Sequence, residues 1–303
     1  MRSPASVVEP APATTTPAAL PAPPVHTRRR RSGGHLLLTA VTWLLALFFA
    51  GPGLWMLLTS FHSEADAATN PPSLLAPLTL SGYGEFFGAN SGISPVRPLV
   101  NSLIASVGST VMVLVLALPA AYALSIKSIV KWRDVLFFFL STKMMPIVAA
   151  LLPLYLLANY IGGLDKIWFL LIVYMVMNLP IAVWMLRSFL ADVPVEMIEA
   201  AEIDGASLMT TLRRVLLPVI LPGMAATSLI CFIFSWNELL VARVLTGVSA
   251  QTAPVFLTGF VSSQGLFLAK VCAASMVISI PVLIAGLTAQ DKFVQGLTLG
   301  AVK

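Results

Sequence analysis

Acidic side chains give the first chemical signal. Of the thirteen Asp and Glu residues in this 303-residue chain, five (Asp192, Glu196, Glu199, Glu202 and Asp204) fall in one short stretch. Clustered carboxylates can hold a metal, exchange protons with a substrate, or offer partners to another protein's basic groups. The rest of the sequence argues against the first two. The three histidines, His26, His35 and His62, show no metal-ligand spacing, and Cys231 and Cys272 lie inside apolar runs, where burial as small hydrophobes is the plain expectation. No Ser/His/Asp constellation is legible, and no Gly-rich loop ends in Gly-Lys-Ser/Thr, so a phosphate cradle is missing from the sequence too. No covalent chemistry, metal or bound cofactor is expected of this chain. The acidic stretch reads as a surface for docking.

Its local chemistry specifies two short helices. Asp192 is placed to cap the first, with Pro194 in its first turn and acidic residues near the positive helix end. Gly205 can take the left-handed conformation that ends that helix, and Ser207 can cap a second one running toward Pro218. Small residues at Ala200, Ala201, Gly205 and Ala206 would let another protein approach closely.

A second set of polar groups stands inside apolar runs. Ser228, Cys231, Ser235 and Glu238 recur at steps of three, four and three, one face of a helix, with Asn237 about 100° around from Glu238. A polyhydroxylated solute crossing a membrane needs replacements for its water hydrogen bonds, and a carboxylate in a span must face protein or water. Asn237 and Glu238 are therefore candidate pathway or gate residues; capping or cross-linking of helices is the competing reading. Lys143, beside Met144-Met145-Pro146, can pair with Glu238, contact solute or snorkel. Asn178 can hydrogen-bond solute or satisfy a carbonyl freed by Pro180, and the second use is the expected one. Ser102, Ser106 and Ser109 also share a face, which fits close helix packing better than binding.

The elements that position these groups must sit in lipid. Hydrophobic residues make up 58% of the chain and charged ones 10%, against about 25% in a soluble domain. Mean hydropathy is +0.91. The apolar residues fall in runs of roughly 20, enough to cross a hydrocarbon core. Six spans are predicted, near 36–58, 99–124, 135–161, 167–186, 219–242 and 268–289, with internal prolines (Pro52, Pro119, Pro146, Pro153, Pro180 and Pro281) that imply kinked helices. Residues 1–34 read as a disordered, Pro-rich cytoplasmic tail ending near Arg28 to Arg31; the uncharged run after it is too long for a signal peptide. Basic residues gather on one side (Arg28 to Arg31, Lys127, Lys131, Arg133, Arg187, Arg213, Arg214, Lys292 and Lys303), which marks it as cytoplasmic. Both termini and the acidic loop at 189–218 then face inward, while 59–98 and 244–267 face outward. The net charge of +5 thus reports orientation in the bilayer, not a nucleic-acid surface. The domain reading is a tail at 1–34, a six-helix membrane domain at 35–289 and a cytoplasmic C-terminal tail at 290–303.

Glu199-Ala200-Ala201, three residues, Gly205, nine residues, Val215, one residue and Leu217-Pro218 resembles the EAA loop of bacterial ABC-importer permeases, with Val215 where that family usually has Ile. The tail from Phe293 to Lys303 is similar to that of the smaller permease subunit of maltose-type carbohydrate importers. Together with Ser235-Trp236-Asn237-Glu238, the likeness spans residues 36–303. Phe260 to Gly265 and Ala289 to Lys292 look most like the sorbitol/mannitol branch. The resemblance implies an all-α membrane protein of six transmembrane helices with type I ABC-importer architecture, in a bacterial inner membrane. It implies that Glu199, Ala200, Ala201, Asp204, Gly205, Leu217 and Pro218 couple to a separate ATPase dimer, which would carry ATP and Mg. It also implies that Gly296, Leu297, Thr298 and Gly300 reach that ATPase, that 251–265 touches an extracytoplasmic solute-binding protein, and that a second homologous permease completes the pathway. An ion-gradient-driven transporter is the rival; it would place its carboxylates near the bilayer midplane, whereas these gather in a cytoplasmic loop.

Overall fold

The computed structural model describes residues 33–69, 73, 75–89, 93–126, 129–262 and 265–301, with side chains described for all of these but 33–36, 261, 262, 265, 266 and 291–301. The expected tail at 1–32 lies outside the described residues; Gly33 and Gly34, assigned to it from sequence, already belong to the first helix. The chain divides into two units, residues 1–50 and 51–303. The described part of the first unit is the beginning of α1 (Gly33–Thr59), and every side chain from Leu37 to Ala50 is exposed.

In the second unit, α2 (Glu64–Ala67) and α3 (Ser81–Phe86) precede α4 (Val96–Ser125), α5 (Trp132–Met144), α6 (Ile147–Tyr160) and α7 (Ile167–Ala191). Next come α8 (Val195–Ile203), α9 (Leu208–Thr210), a π-helical segment (Thr211–Leu216) and α10 (Leu217–Trp236). The chain continues through α11 (Leu240–Leu245), α12 (Ala253–Leu257), a 3-10 turn (Thr258–Phe260), an antiparallel ribbon of β1 (Val261–Ser262) and β2 (Gly265–Leu266), and α13 (Leu268–Ala301).

Among the described residues, five stretches are long and apolar enough to cross a membrane: 37–59, 96–125, 167–191, 208–236 and 268–290. The third predicted span is not one helix. It is the pair α5 and α6, bent by 88°. Met145 stands at the break with φ −68° and ψ 128°. The ring of a following proline disfavours helical backbone at the preceding residue, and Pro146 has no N–H to continue the ladder. Pro52, Pro119, Pro153, Pro180 and Pro281 lie within helices instead, which membrane helices tolerate.

The fifth span also differs from its prediction. It starts at Leu208, because the second helix of the acidic loop runs on into the membrane, and ends at Trp236. Asn237 and Glu238 therefore lie past its end, not on its face. The π-helical segment just before Pro218 has a local cause. A proline cannot donate to the carbonyl four residues back and its ring crowds that carbonyl, so the preceding backbone shifts register. The expected boundary at 289/290 falls inside α13, which is helical to Ala301.

α7 is the central helix, packed against α4, α10 and α5. The largest apolar cluster joins Val113, Ala117 and Ala121 of α4 to Val183, Leu186 and Leu190 of α7 and to Leu216 and Ile220. Alanines at such contacts let backbones approach, the dominant source of helix packing in lipid. Gly223 of α10 makes a similar approach: a Cβ there would collide with the Phe189 ring of α7. The serine stripe of α4 is buried, as predicted for close packing. It also supplies interhelical bonds, with Ser102 Oγ accepting from the Ala253 amide at 2.8 Å.

Candidate functional site

The acidic loop folds as a helical hairpin. α8 ends in a Schellman motif: the Ala206 amide donates to Ala201 O at 2.9 Å and the Gly205 amide to Glu202 O at 3.0 Å. Gly205 has φ +74°, the left-handed conformation expected of it. Ser207 caps α9, its Oγ accepting from the Thr210 amide at 3.4 Å. The expectation for Asp192 is corrected. It is the C-cap of α7, and the N-cap of α8 is Pro194, which offers no side-chain acceptor. Pro194 is extended (ψ 130°), so the helix begins at Val195, two residues later than a cap at Asp192 required.

The hairpin has an anchored face and an open face. Ile198, Leu212 and Leu216 belong to the same apolar cluster as α4 and α7, and Ala201 is buried beside them. Any displacement of α8 thus bears directly on the spans. Glu199, Ala200, Asp204, Gly205 and Pro218 are exposed, and Leu217 is half-buried. Next to them Ile203 is 85% exposed, and Leu208 and Met209 are also exposed. Large apolar side chains bare beside carboxylates, at the end of a firmly seated helix, form a surface suited to a protein partner. A Cβ on Gly205 would meet no atom of this chain within 4 Å, so its backbone conformation is the constraint this chain itself imposes. Gly296, Leu297, Thr298 and Gly300 lie on the last turns of α13; their side chains are outside the described set.

The polar residues of the spans meet at a cavity of about 300 Å³ lined by Lys143, Tyr174, Met177, Asn178, Phe234, Ser235 and Glu238. Three of the four predicted pathway residues thus converge. The fourth, Asn237, is exposed and folds its amide back to Ile233 O at 2.9 Å. Glu238 accepts from the amides of Val241 (3.0 and 3.1 Å) and Ala242 (3.0 Å), so its carboxylate caps α11 while facing the cavity. The Tyr174 hydroxyl donates to it at 3.4 Å. Lys143 sits in the last turn of α5, its Nζ 5.8 Å from the centre of the Phe234 ring near the end of α10. Both helix C-termini favour a cation there. Asn178 donates to Tyr174 O at 3.0 Å and to Ser235 Oγ at 2.9 Å. The carbonyl it bonds is therefore not Val176 O, the one Pro180 leaves free. Of the proposed stripe, Ser228 faces a different groove between α4, α10 and α13, and Cys231 is buried in the central cluster.

The broken span opens a second, more apolar hollow of about 440 Å³ in its elbow, with Lys143 and Met177 on the shared wall. Two helix interruptions, at Met145-Pro146 and at Asn237–Leu239, thus flank one polar cavity. Among the described residues no group of three or more His, Cys, Asp or Glu is arranged to hold a metal.

Sequence reasoning missed Asp165. In the turn between α6 and α7, with φ +54°, its carboxylate accepts from the amides of Gly247 (2.8 Å), Ser249 (2.9 Å) and Ala250 (2.7 Å). Partial burial acts to raise its pKa, but hydrogen bonds from Ala250, Ser249 and Gly247 outweigh that and hold it below the ordinary carboxylate value. The only advance signal was an acid between two spans, next to Gly162-Gly163, and it named no partner.

Three comparisons bear on these surfaces. Residues 113–295 match the family described as binding-protein-dependent transport system inner membrane component. The diacetylchitobiose uptake system permease protein DasC of Streptomyces coelicolor is 35% identical over 267 residues, 88% of this chain and 95% of that protein. Among solved structures, a bacterial ABC transporter involved in import of the acidic polysaccharide alginate superposes with a TM-score of 0.70 at 24% identity, covering 89% of this chain and 100% of that one. The alginate transporter in complex with its alginate pentasaccharide-bound periplasmic protein superposes with a TM-score of 0.60 at 16% identity, over 84% and 91%.

Proposed function

The chain belongs to the binding-protein-dependent transport system inner membrane component family and is a carbohydrate-type ABC-importer permease subunit, and from that premise we propose that it moves a small sugar or sugar alcohol across a bacterial inner membrane by alternating access. A separate ATPase dimer, with its ATP and Mg, drives the cycle. A second, homologous permease forms the other half of the pathway, and an extracytoplasmic binding protein delivers the solute. Both termini and the helical hairpin face the cytoplasm, the side rich in Lys and Arg.

The observation that carries this reading is the hairpin. Exposed Ile203, Leu208 and Met209 surround the Gly205 turn, while Ile198 on the opposite face is seated in the core of the spans. A partner closing on the open face moves the anchored one. Glu199, Ala200, Ala201, Asp204, Gly205, Leu217 and Pro218 transmit that motion, and Gly296, Leu297, Thr298 and Gly300 extend the contact. Lys143, Asn178 and Glu238 line the solute route with Asn237 at its margin. The cavity volume lies at the low end of small-molecule sites, about 300–1,000 Å³.

Reconstitution of the permease pair with the ATPase and binding protein in proteoliposomes tests the reading. Solute uptake should require internal ATP and the binding protein, and a cysteine at Ile203 should cross-link to the ATPase. Uptake driven by an ion gradient without ATP would overturn it.

A further inference from the structure

We propose that Asp165 is a positioning residue that holds the turn 246–252 as a preformed contact surface for the solute-binding protein. The inference rests on the orientation and the partner given under Proposed function, and it assigns that partner a place on this subunit.

The ends of the turn are tied to the adjoining helices, the Thr246 amide donating to Ala242 O and Thr252 O accepting from the Phe256 amide, each at 2.9 Å. The residues between them are held from distant parts of the chain. Asp165 takes the amides of Gly247, Ser249 and Ala250 from below, and its own amide donates to Leu245 O at 2.9 Å. Asn101, at the start of α4, donates its side-chain amide to Ser249 O (3.0 Å) and Gln251 O (2.9 Å). Ser102 accepts from Ala253, just past the turn. Three amides and two carbonyls of the turn are thus bound by two separate elements, while Gly247, Val248 and Ser249 remain exposed. Val248 at the tip is 85% exposed.

Two features favour a protein over the lipid headgroups as the occupant. Side chains that anchor at a membrane interface are Trp, Tyr, Lys and Arg, and the run Thr246-Gly-Val-Ser-Ala-Gln-Thr252 contains none. A loop resting on headgroups also gains nothing from a fixed backbone. A protein contact does, because ordering a loop on binding costs affinity that a preset one keeps. Asp165 itself sits in a left-handed conformation uncommon for a non-glycine residue, which the three amide bonds hold in place.

The test uses the whole complex in nanodiscs with purified binding protein, in a Cys272→Ser background. Val248→Cys should form a cross-link to the binding protein. Adding Asp165→Asn should cut its yield severalfold and raise the binding-protein concentration for half-maximal ATPase stimulation about tenfold, while the maximal stimulated rate moves less than twofold. A merely structural role would lower the maximal rate together with the yield of assembled complex. Cross-linking of Val248→Cys only to the second permease or to lipid, or an unchanged half-maximal concentration in Asp165→Asn, overturns the proposal. Failure of the binding protein to stimulate the unmodified complex would instead overturn the importer reading.

Discussion

The Asn178 side-chain amide donates to the Ser235 hydroxyl at 2.9 Å, and Ser235 lies 3.0 Å from the Ser109 hydroxyl. Three spans, α7, α10 and α4, share this buried chain beside the polar cavity. Hydrogen bonds between membrane helices contribute about 0.6 kcal/mol on average and up to about 1.7. Asn178→Leu and Ser235→Ala should each destabilise the fold by about 1 kcal/mol, measured by unfolding in mixed micelles. The double variant should fall short of the sum, because both remove the same bond. Strict additivity would show that the contact carries no energy.

Gly205 sits at φ +74° with open space where a Cβ would be. Strain of about 1–2 kcal/mol is expected for most side chains there, and least for Asn. Gly205→Val should abolish uptake and release the ATPase while membrane insertion stays normal. Gly205→Asn should retain most of the ATPase association, read by co-purification. Equal loss in both would mean that the partner's surface presses against this position, and that its size is limiting as well as its backbone.

Local chemistry was legible in the sequence wherever one or two residues decide a conformation. Gly205 ends one helix because it lacks a Cβ, Ser207 begins the next with its hydroxyl, and the serines of α4 are buried in a close helix contact. What failed depended on competition between neighbours. Asp192 has capping chemistry, but α7 extends to Ala191 and claims it as a C-cap. Pro146 was one of several prolines in apolar runs, and nothing local separates the one that breaks a span from Pro153, which lies inside the next helix. Glu238 fell on a helical stripe in projection, yet α10 had already ended at Trp236. Asp165 acquires its role only because α11 returns to it some eighty residues later, which no periodicity encodes.

Glu238 has a second duty that can be separated from the first. Its carboxylate accepts the amides of Val241 and Ala242, so Glu238→Ala leaves the start of α11 uncapped, at a cost of about 0.5–2 kcal/mol. Hydrogen exchange at Val241 and Ala242 should speed up in that variant. Glu238→Gln keeps an acceptor oxygen and should protect both amides partially. A change of solute selectivity in Glu238→Gln larger than its loss of protection would assign the charge to the pathway. Unchanged exchange in Glu238→Ala would refute the capping role.

Asp165 makes the outer turn sensitive to acid. Its pKa in the folded protein is held below the ordinary carboxylate value of about 3.9, despite the opposing effect of burial, by the amides of Ala250, Ser249 and Gly247. A depressed carboxylate contributes stability that is fully present above its unfolded pKa and disappears as pH falls through the folded one. The window therefore opens near pH 4 and extends below it, and at neutral pH the turn is fully held. Protection factors of the Gly247, Ser249 and Ala250 amides, corrected for intrinsic exchange, should stay constant from pH 7 to about pH 5 and drop below about pH 4. Asp165→Asn should lower them at every pH and remove the drop. A wild-type profile that is flat to the lowest pH at which the fold survives would show that the three amides are held by something other than this carboxylate.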